Sequence, residues 1–216
     1  MNKTDLKLYA ITDRQWLHGE RLSEHVKLAI EGGATMIQIR DKDILSTDSD
    51  AGLKDEYKEA LEIKKICHEH NVPLIINDNV QFAIDIDADG VHLGQDDMNP
   101  AEARKLLGTD KIIGVTAKTV EQAKKAQADG ADYLGSGAVF GSTTKLNAKP
   151  MTKELLQEIT AAVDIPVVAI GGINADNAAT LKGTGIAGIA VVGAIFASAD
   201  IKAAAKELAE ICDKML

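Results

Sequence analysis

Short runs of β-branched and aliphatic residues alternate along this chain with longer stretches whose apolar positions recur at helical spacing. The runs at 6–12, 36–40, 74–77, 90–93, 112–116, 133–137, 167–170 and 189–192 predict strands. Between them 23–31, 53–70, 79–86, 100–107, 120–128, 153–162, 174–182 and 202–214 predict helices, the third of these being short. Gly33-Ala34, Gly130-Ala131 and Gly185-Ile186 fall just before strands, where a glycine ends one helix and the chain turns inward. Strict alternation without a linker or a low-complexity stretch predicts a single (β/α)8 barrel domain, α/β in class, spanning residues 1–216. A barrel does not disclose its reaction. In such folds the chemistry sits at the carboxyl ends of the strands, so the residues there carry the functional reading.

Composition narrows the partners. With 24 Lys+Arg against 33 Asp+Glu the formal net charge is −9, which disfavours nucleic acid and anionic membrane surfaces. No segment approaches the ~18 consecutive apolar residues of a membrane span, and Met1-Asn2-Lys3-Thr4-Asp5 has no apolar signal core, so a cytoplasmic protein is expected. Cys67 and Cys212 lie in helical stretches without a CxxC spacing and read as packed, reduced thiols. Small molecules remain as partners. Oligomeric state is left open, a homo-oligomer included.

Strand ends two to four gather polar groups. In Met36-Ile37-Gln38-Ile39-Arg40-Asp41-Lys42 the alternation sends Gln38, Arg40 and, if the phase continues, Lys42 to one side, a set of donors suited to a polyanion. Asn77-Asp78 ends the third strand, and Gln95-Asp96-Asp97 follows the fourth. Two carboxylates on neighbouring loops can hold Mg²⁺ that keeps several waters and takes further ligands from phosphate, and Asp78 with Asp97 is the pair expected to do so. The competing reading makes Asp96 and Asp97 caps of the helix at Pro100, a role more apt for Asp96.

The other side of the barrel offers backbone. Gly171-Gly172-Ile173-Asn174 follows strand seven and Val192-Gly193-Ala194 follows strand eight, the positions of a recurrent phosphate cup in these barrels. After strand six, Ser142-Thr143-Thr144-Lys145 adds hydroxyls and a cation. His92 lies within strand four and reads as an interior histidine rather than a base.

Taken in order, Gln38-Ile39-Arg40-Asp41-Lys42, Asn77-Asp78, Asp89 through Asp97, Gly114-Val115-Thr116-Ala117, Ser142-Thr143-Thr144-Lys145 and Gly171-Gly172-Ile173 resemble the successive motifs of the thiamine phosphate synthases, across 8–196. Each motif is weak alone, and the ordered set is specific. The resemblance implies a transferase of thiamine biosynthesis. Its reaction would be a Mg²⁺-dependent joining of hydroxymethylpyrimidine diphosphate to thiazole phosphate with release of pyrophosphate. Carried over position by position, Gln38, Arg40, Lys42, Asn77, Thr116 and Lys145 would bind the pyrimidine diphosphate, with Arg40, Lys42 and Lys145 catalytic. Ser142, Thr144, Gly172, Val192 and Gly193 would bind thiazole phosphate, and Asp78 and Asp97 would bind Mg²⁺. Thr116 and Ser142 exchange one hydroxyl residue for another relative to that pattern, whereas Gly193 stands where serine is usual. Two rivals are a thiazole tautomerase, which has no need of the Gln38, Arg40, Lys42 and Asn77-Asp78 set, and a non-catalytic phosphate-binding protein, which needs one anion site and no metal.

Overall fold

The computed structural model of the chain describes residues 1–40, 50–141 and 150–216, with the side chains of 50–54 outside the description. Eight parallel strands close in chain order: β1 (Leu8–Ile11), β2 (Met36–Ile39), β3 (Leu74–Asn77), β4 (Gly90–Leu93), β5 (Ile112–Thr116), β6 (Tyr133–Gly137), β7 (Val167–Ile170) and β8 (Gly188–Val191). The helices are α1 (Leu22–Glu31), α2 (Asp50–Glu69), α3 (Val80–Asp85), α4 (Pro100–Leu107), α5 (Val120–Ala128), α6 (Lys153–Ala161), α7 (Gly193–Phe196) and α8 (Ile201–Met215). The (β/α)8 barrel expected from the alternation is borne out.

Period two splits each strand between two cores. Leu8, Ala10, Ile37, Ile39, Leu134 and Ile189 face outward against Val26, Ile63, Leu156 and Leu208 of the helices. Tyr9, Ile11, Met36, Ile75, Ile112, Tyr133, Val168 and Ala190 fill the barrel interior. Each aliphatic side chain so buried contributes about 1.5–3 kcal/mol before the cost of ordering it.

The chain departs from expectation after β7. The spacing of 174–182 predicts a helix, and only a 3₁₀ turn, Ala178–Leu181, forms. Asn174 and Asn177 account for this, because Asn177 Oδ1 accepts from the Asn174 N–H at 2.9 Å and Asn174 Oδ1 from the Asp176 N–H at 3.0 Å. Side-chain acceptors thereby compete with the helical ladder. After β8 the opposite occurs: Val192 leaves the strand and becomes the cap of the short α7.

Caps on the loops after β3 and β4 settle which polar residues face the barrel mouth. Asn79 Oδ1 accepts from the Phe82 N–H at 2.9 Å and caps α3; Asn99 Oδ1 accepts from the Ala101 N–H at 2.9 Å and caps α4. Neither Asp96 nor Asp97 is therefore the cap of α4. Among the described residues no helix is long and apolar enough to cross a membrane.

Candidate active site at the carboxyl ends of the strands

Gln38 points into the barrel and is 2% exposed. Its Nε2 donates to the Tyr9 hydroxyl on β1 at 2.5 Å. The Tyr9 and Tyr133 hydroxyls lie 2.9 Å apart, Tyr133 Oη is 3.0 Å from His92 Nδ1, and His92 Nε2 is 3.0 Å from Thr116 Oγ1. A chain of hydrogen-bonded side chains thus links β2, β1, β6, β4 and β5 across the interior. Glycines make room for it: a Cβ on Gly114 would lie 2.1 Å from Tyr133 Cζ, and one on Gly135 would lie 3.1 Å from His92 Cε1. Burial raises the pKa of both tyrosines and pushes His92 down to about 4, so all three rings are uncharged at neutral pH. His92 is an interior, doubly hydrogen-bonded histidine.

Just past β2, the Arg40 N–H donates to Thr12 Oγ1 at 3.1 Å, and its guanidinium stands 4.0 Å from Asp13 Oδ2. At that separation the pair is loose, and the guanidinium keeps donors for a ligand. Lys42, expected to continue the set, lies outside the described residues.

The two expected metal ligands meet. Asp78, at the end of β3, adopts φ +61, a left-handed conformation that Asp tolerates better than most residues, and its N–H donates to His92 O at 2.8 Å. Asn77 Nδ2 donates to Asp78 Oδ2 at 2.6 Å, while Asp97 Oδ2 closes its own loop by accepting from the Gly94 N–H at 2.6 Å. Burial, then a hydrogen bond and charge repulsion from Asp97, raise the Asp78 pKa to about 6 against the pull of Asn77 and Arg40. Two carboxylates forced together in this way share a proton or invite a cation. Among the described residues no cluster of three or more His, Cys, Asp or Glu side chains forms a metal cage. A cation here would take its other ligands from water and substrate, as Mg²⁺ does.

Across the mouth the site is built of backbone. Gly171 and Gly172 have φ of +100 and +69, and a Cβ on Gly172 would lie 2.8 Å from Phe140 O. Asn177 Nδ2 donates to Gly172 O at 2.9 Å and holds this turn. Gly193 opens α7, so its N–H and that of Ala194 have no partner within the helix. Trp16, from the 3₁₀ turn Arg14–Trp16 after β1, lies over Gly193, with Cη2 3.2 Å from where a Cβ would stand. Ser142, Thr144 and Lys145 lie outside the described residues. The remaining expected residues, Thr116, Gly172, Val192 and Gly193, stand with Gln38, Arg40, Asn77, Asp78 and Asp97 at or just beyond the strands' carboxyl ends.

Tyr9, Tyr133, Thr12, Asp13 and Trp16 were not singled out by sequence reasoning. A signal existed for the tyrosines: in a chain with 3% aromatic residues, two of three tyrosines occupy strand positions in the inward phase.

Residues 8–195 match the family described as thiamine monophosphate synthase. The chain belongs to the thiamine monophosphate synthase family. The thiamine-phosphate synthase of Ruminiclostridium cellulolyticum is 49% identical over 210 residues, covering 97% of each chain. The solved thiamine phosphate pyrophosphorylase of Pyrococcus furiosus has a TM-score of 0.87 at 38% identity, covering 99% of this chain and 98% of that one. A 3-hexulose-6-phosphate synthase from Salmonella typhimurium, with a TM-score of 0.71 at 15% identity over 98% of this chain and 100% of its own, shares the fold alone. Membership of the thiamine monophosphate synthase family makes the chain a transferase enzyme of thiamine biosynthesis.

Proposed function

We propose that the chain joins 4-amino-5-hydroxymethyl-2-methylpyrimidine diphosphate to thiazole phosphate, forming thiamine phosphate and releasing pyrophosphate, in the cytoplasm and with Mg²⁺ as cofactor. The observation that carries this reading is the contact between Asp78 and Asp97 at the ends of adjacent strands, with Arg40 close enough to act on Asp78. That juxtaposition of two acids with a cationic fork suits a diphosphate brought in with a divalent ion, and it fits neither the tautomerase nor the simple anion binder. Asp78 and Asp97 would hold Mg²⁺, which supplies positive charge to the leaving diphosphate.

Gln38 and Thr116 would hold the pyrimidine ring, with Asn77 beside the diphosphate. The attacking thiazole nitrogen carries a free lone pair, so no strong base is required, and His92 with both nitrogens engaged offers none. The barrier lies in expelling pyrophosphate. Arg40, with Lys42 and Lys145, would offset the charge that grows on it. The electron-rich aminopyrimidine stabilises the methylene as that bond loosens, and the pocket must keep water from it. Gly172, Val192 and Gly193, with Ser142 and Thr144, would anchor the thiazole phosphate through backbone N–H groups and hydroxyls.

The test is turnover with both substrates and Mg²⁺, followed by pyrophosphate release. Release that depends on thiazole phosphate and stops with chelator supports the reading; release without thiazole phosphate, or none at all with both substrates, overturns it.

A further inference from the structure

The interior hydrogen-bonded chain has a direction. Each tyrosine hydroxyl and a neutral imidazole carry one proton apiece, so where each accepts once and donates once a donation at one end sets every link beyond it. Gln38 Nε2 donates to Tyr9, and between the Tyr9 and Tyr133 hydroxyls either can donate; with one acceptance and one donation each, Tyr9 donates to Tyr133. Tyr133 then donates to His92 Nδ1, the imidazole proton sits on Nε2, and Nε2 donates to Thr116 Oγ1. The Thr116 hydroxyl proton is left for a ligand, and so is the Gln38 carbonyl oxygen. The opposite direction requires the Gln38 amide turned over and every proton moved together. It would leave an amide donor at Gln38 and an acceptor at Thr116.

We propose that this chain, through Tyr9, Tyr133 and His92 as positioning residues, couples Gln38 as acceptor to Thr116 as donor and so selects an aminopyrimidine over its 4-oxo counterpart. The assignment of Gln38 and Thr116 to the pyrimidine rests on the function proposed above. The selectivity follows from complementarity. An aminopyrimidine offers an N–H donor and a bare ring nitrogen acceptor, whereas the 4-oxo ring replaces the amino donor by a carbonyl acceptor and protonates the adjacent ring nitrogen, inverting both positions. With the chain running from Gln38 to Thr116, the oxo ring would set acceptor against acceptor at Gln38. Reversing the chain to suit it would mean turning an amide that is 2% exposed. Discrimination by a buried polar group left unpaired is far steeper than discrimination by size. Gly114 and Gly135 leave the space that the Tyr133 and His92 rings need to make these links.

Two measurements test this. The first is ¹⁵N NMR of histidine-labelled, unliganded protein, in which His92 is expected as the Nε2–H tautomer. Finding Nδ1–H overturns the direction, whatever the substrate proves to be. The second is the ratio of kcat/KM for the 4-amino and 4-oxo 2-methylpyrimidine diphosphates. Tyr133→Phe removes the middle link, and the ratio is expected to fall by about tenfold or more, as losing one buried hydrogen-bond partner implies, while KM for thiazole phosphate stays unmoved. Tyr9→Phe cuts the chain one link earlier and should lower the ratio likewise if Tyr133→Phe folds poorly. A ratio unchanged in a folded variant overturns the coupling. If the unsubstituted protein turns over neither pyrimidine, the function proposed above fails, and the NMR result still decides the direction of the chain.

Discussion

Around β1 to β6 the barrel mouth is made of side chains that hold one another, from Gln38 through the two tyrosines to His92 and Thr116, with Asp78 pressed against Asp97 beside them. Around β7 and β8 it is made of backbone, at Gly171, Gly172 and the start of α7. The first construction depends on every partner being present and on its protonation. The second needs only that nothing occupy the space in front of the N–H groups. On the function proposed above, a backbone cup can forgo the hydroxyl that the resemblance expects at Gly193, because its N–H donors remain. The contrast also sets distinct expectations for substitution: the side-chain half should fail through chemistry and packing, and the backbone half through steric blockage.

The largest effect is expected at the acids. Asp78→Ala and Asp97→Ala should each lower turnover by ~10² or more, the scale of losing electrostatic stabilisation of a leaving group in a dry site. The double variant should be little worse than the poorer single one, because residues that serve one ion act as a unit. Pyrophosphate release on the three variants, each with and without added Mg²⁺, measures this. Losses that multiply independently would separate the two acids and break the picture of a shared site.

Packing in the same half should be nearly as unforgiving. Gly114→Ala puts a Cβ 2.1 Å from Tyr133 Cζ, on a buried ring that has links on both sides. A loss of ~1–3 kcal/mol or more is expected, as for overpacking elsewhere, read in urea or thermal melts. Gly135→Ala, whose Cβ would stand 3.1 Å from His92 Cε1, should cost less. In the backbone half, Gly172→Ala combines φ +69 with a Cβ 2.8 Å from Phe140 O, and should raise the KM for thiazole phosphate about tenfold, the equivalent of ~1–2 kcal/mol of left-handed strain. Equal damage to thiazole phosphate binding from Gly114→Ala and Gly172→Ala would erase the distinction between the halves.

The two halves were not equally legible in the sequence. The strands could be read because β-branched runs and glycine stops repeat locally, and Asp78, Asp97, Arg40 and the glycine loops could be read because strand-end residues in a barrel share one face. The interior chain could not. Tyr9, Gln38, His92, Thr116 and Tyr133 come from five strands and meet only when the barrel closes, so no local spacing announces them. Gln38 was legible as polar and inward in phase, yet its partner Tyr9 looked like one more apolar residue of β1. The helix expected at 174–182 failed for a related reason: apolar spacing was visible, but the hydrogen bonds of Asn174 and Asn177 to nearby N–H groups compete with it.

The pH dependence of stability should divide along the same line, with two groups of the side-chain half opposing each other. His92 has its pKa lowered from 6.5 to about 4, so its contribution is present above the unfolded value and is lost as pH falls toward 4. Asp78 has its pKa raised from 3.8 to about 6, so its contribution is present below the unfolded value and is lost as pH rises through about 6. In metal-free buffer Asp78→Asn should therefore stabilise the protein more at pH 7.5 than at pH 5, by about 2–4 °C at most, the shift that ~1 kcal/mol makes in a chain of this size. Partial exposure of Asp78 to solvent keeps the effect small. Melts of this variant and of the unsubstituted protein across that range give the difference directly. A stabilisation larger at pH 5 would reverse the sign argued here.

The smallest effect is expected at Gly193. Its φ is not left-handed, so a side chain is compatible with its backbone, and a serine there would open α7 with a hydroxyl beside the N–H groups of the cup. The added Cβ would stand 3.2 Å from Trp16 Cη2 and 3.9 Å from Ala197 Cβ, close enough that the indole must move by a few tenths of an ångström. Trp16 is half-buried on a short 3₁₀ turn, where such a shift is cheap. Gly193→Ser should thus leave the melting temperature within about 2 °C and hold or lower the KM for thiazole phosphate, an effect below ~1 kcal/mol. Gly193→Val carries two more methyl-sized groups toward the indole and the cup, and should raise that KM instead. Tryptophan fluorescence, with Trp16 as the single reporter in the chain, follows the ring's displacement in both variants. Serine and valine proving equally harmful would mean that the phosphate does not sit at the start of α7, and the backbone half of the mouth would need another occupant.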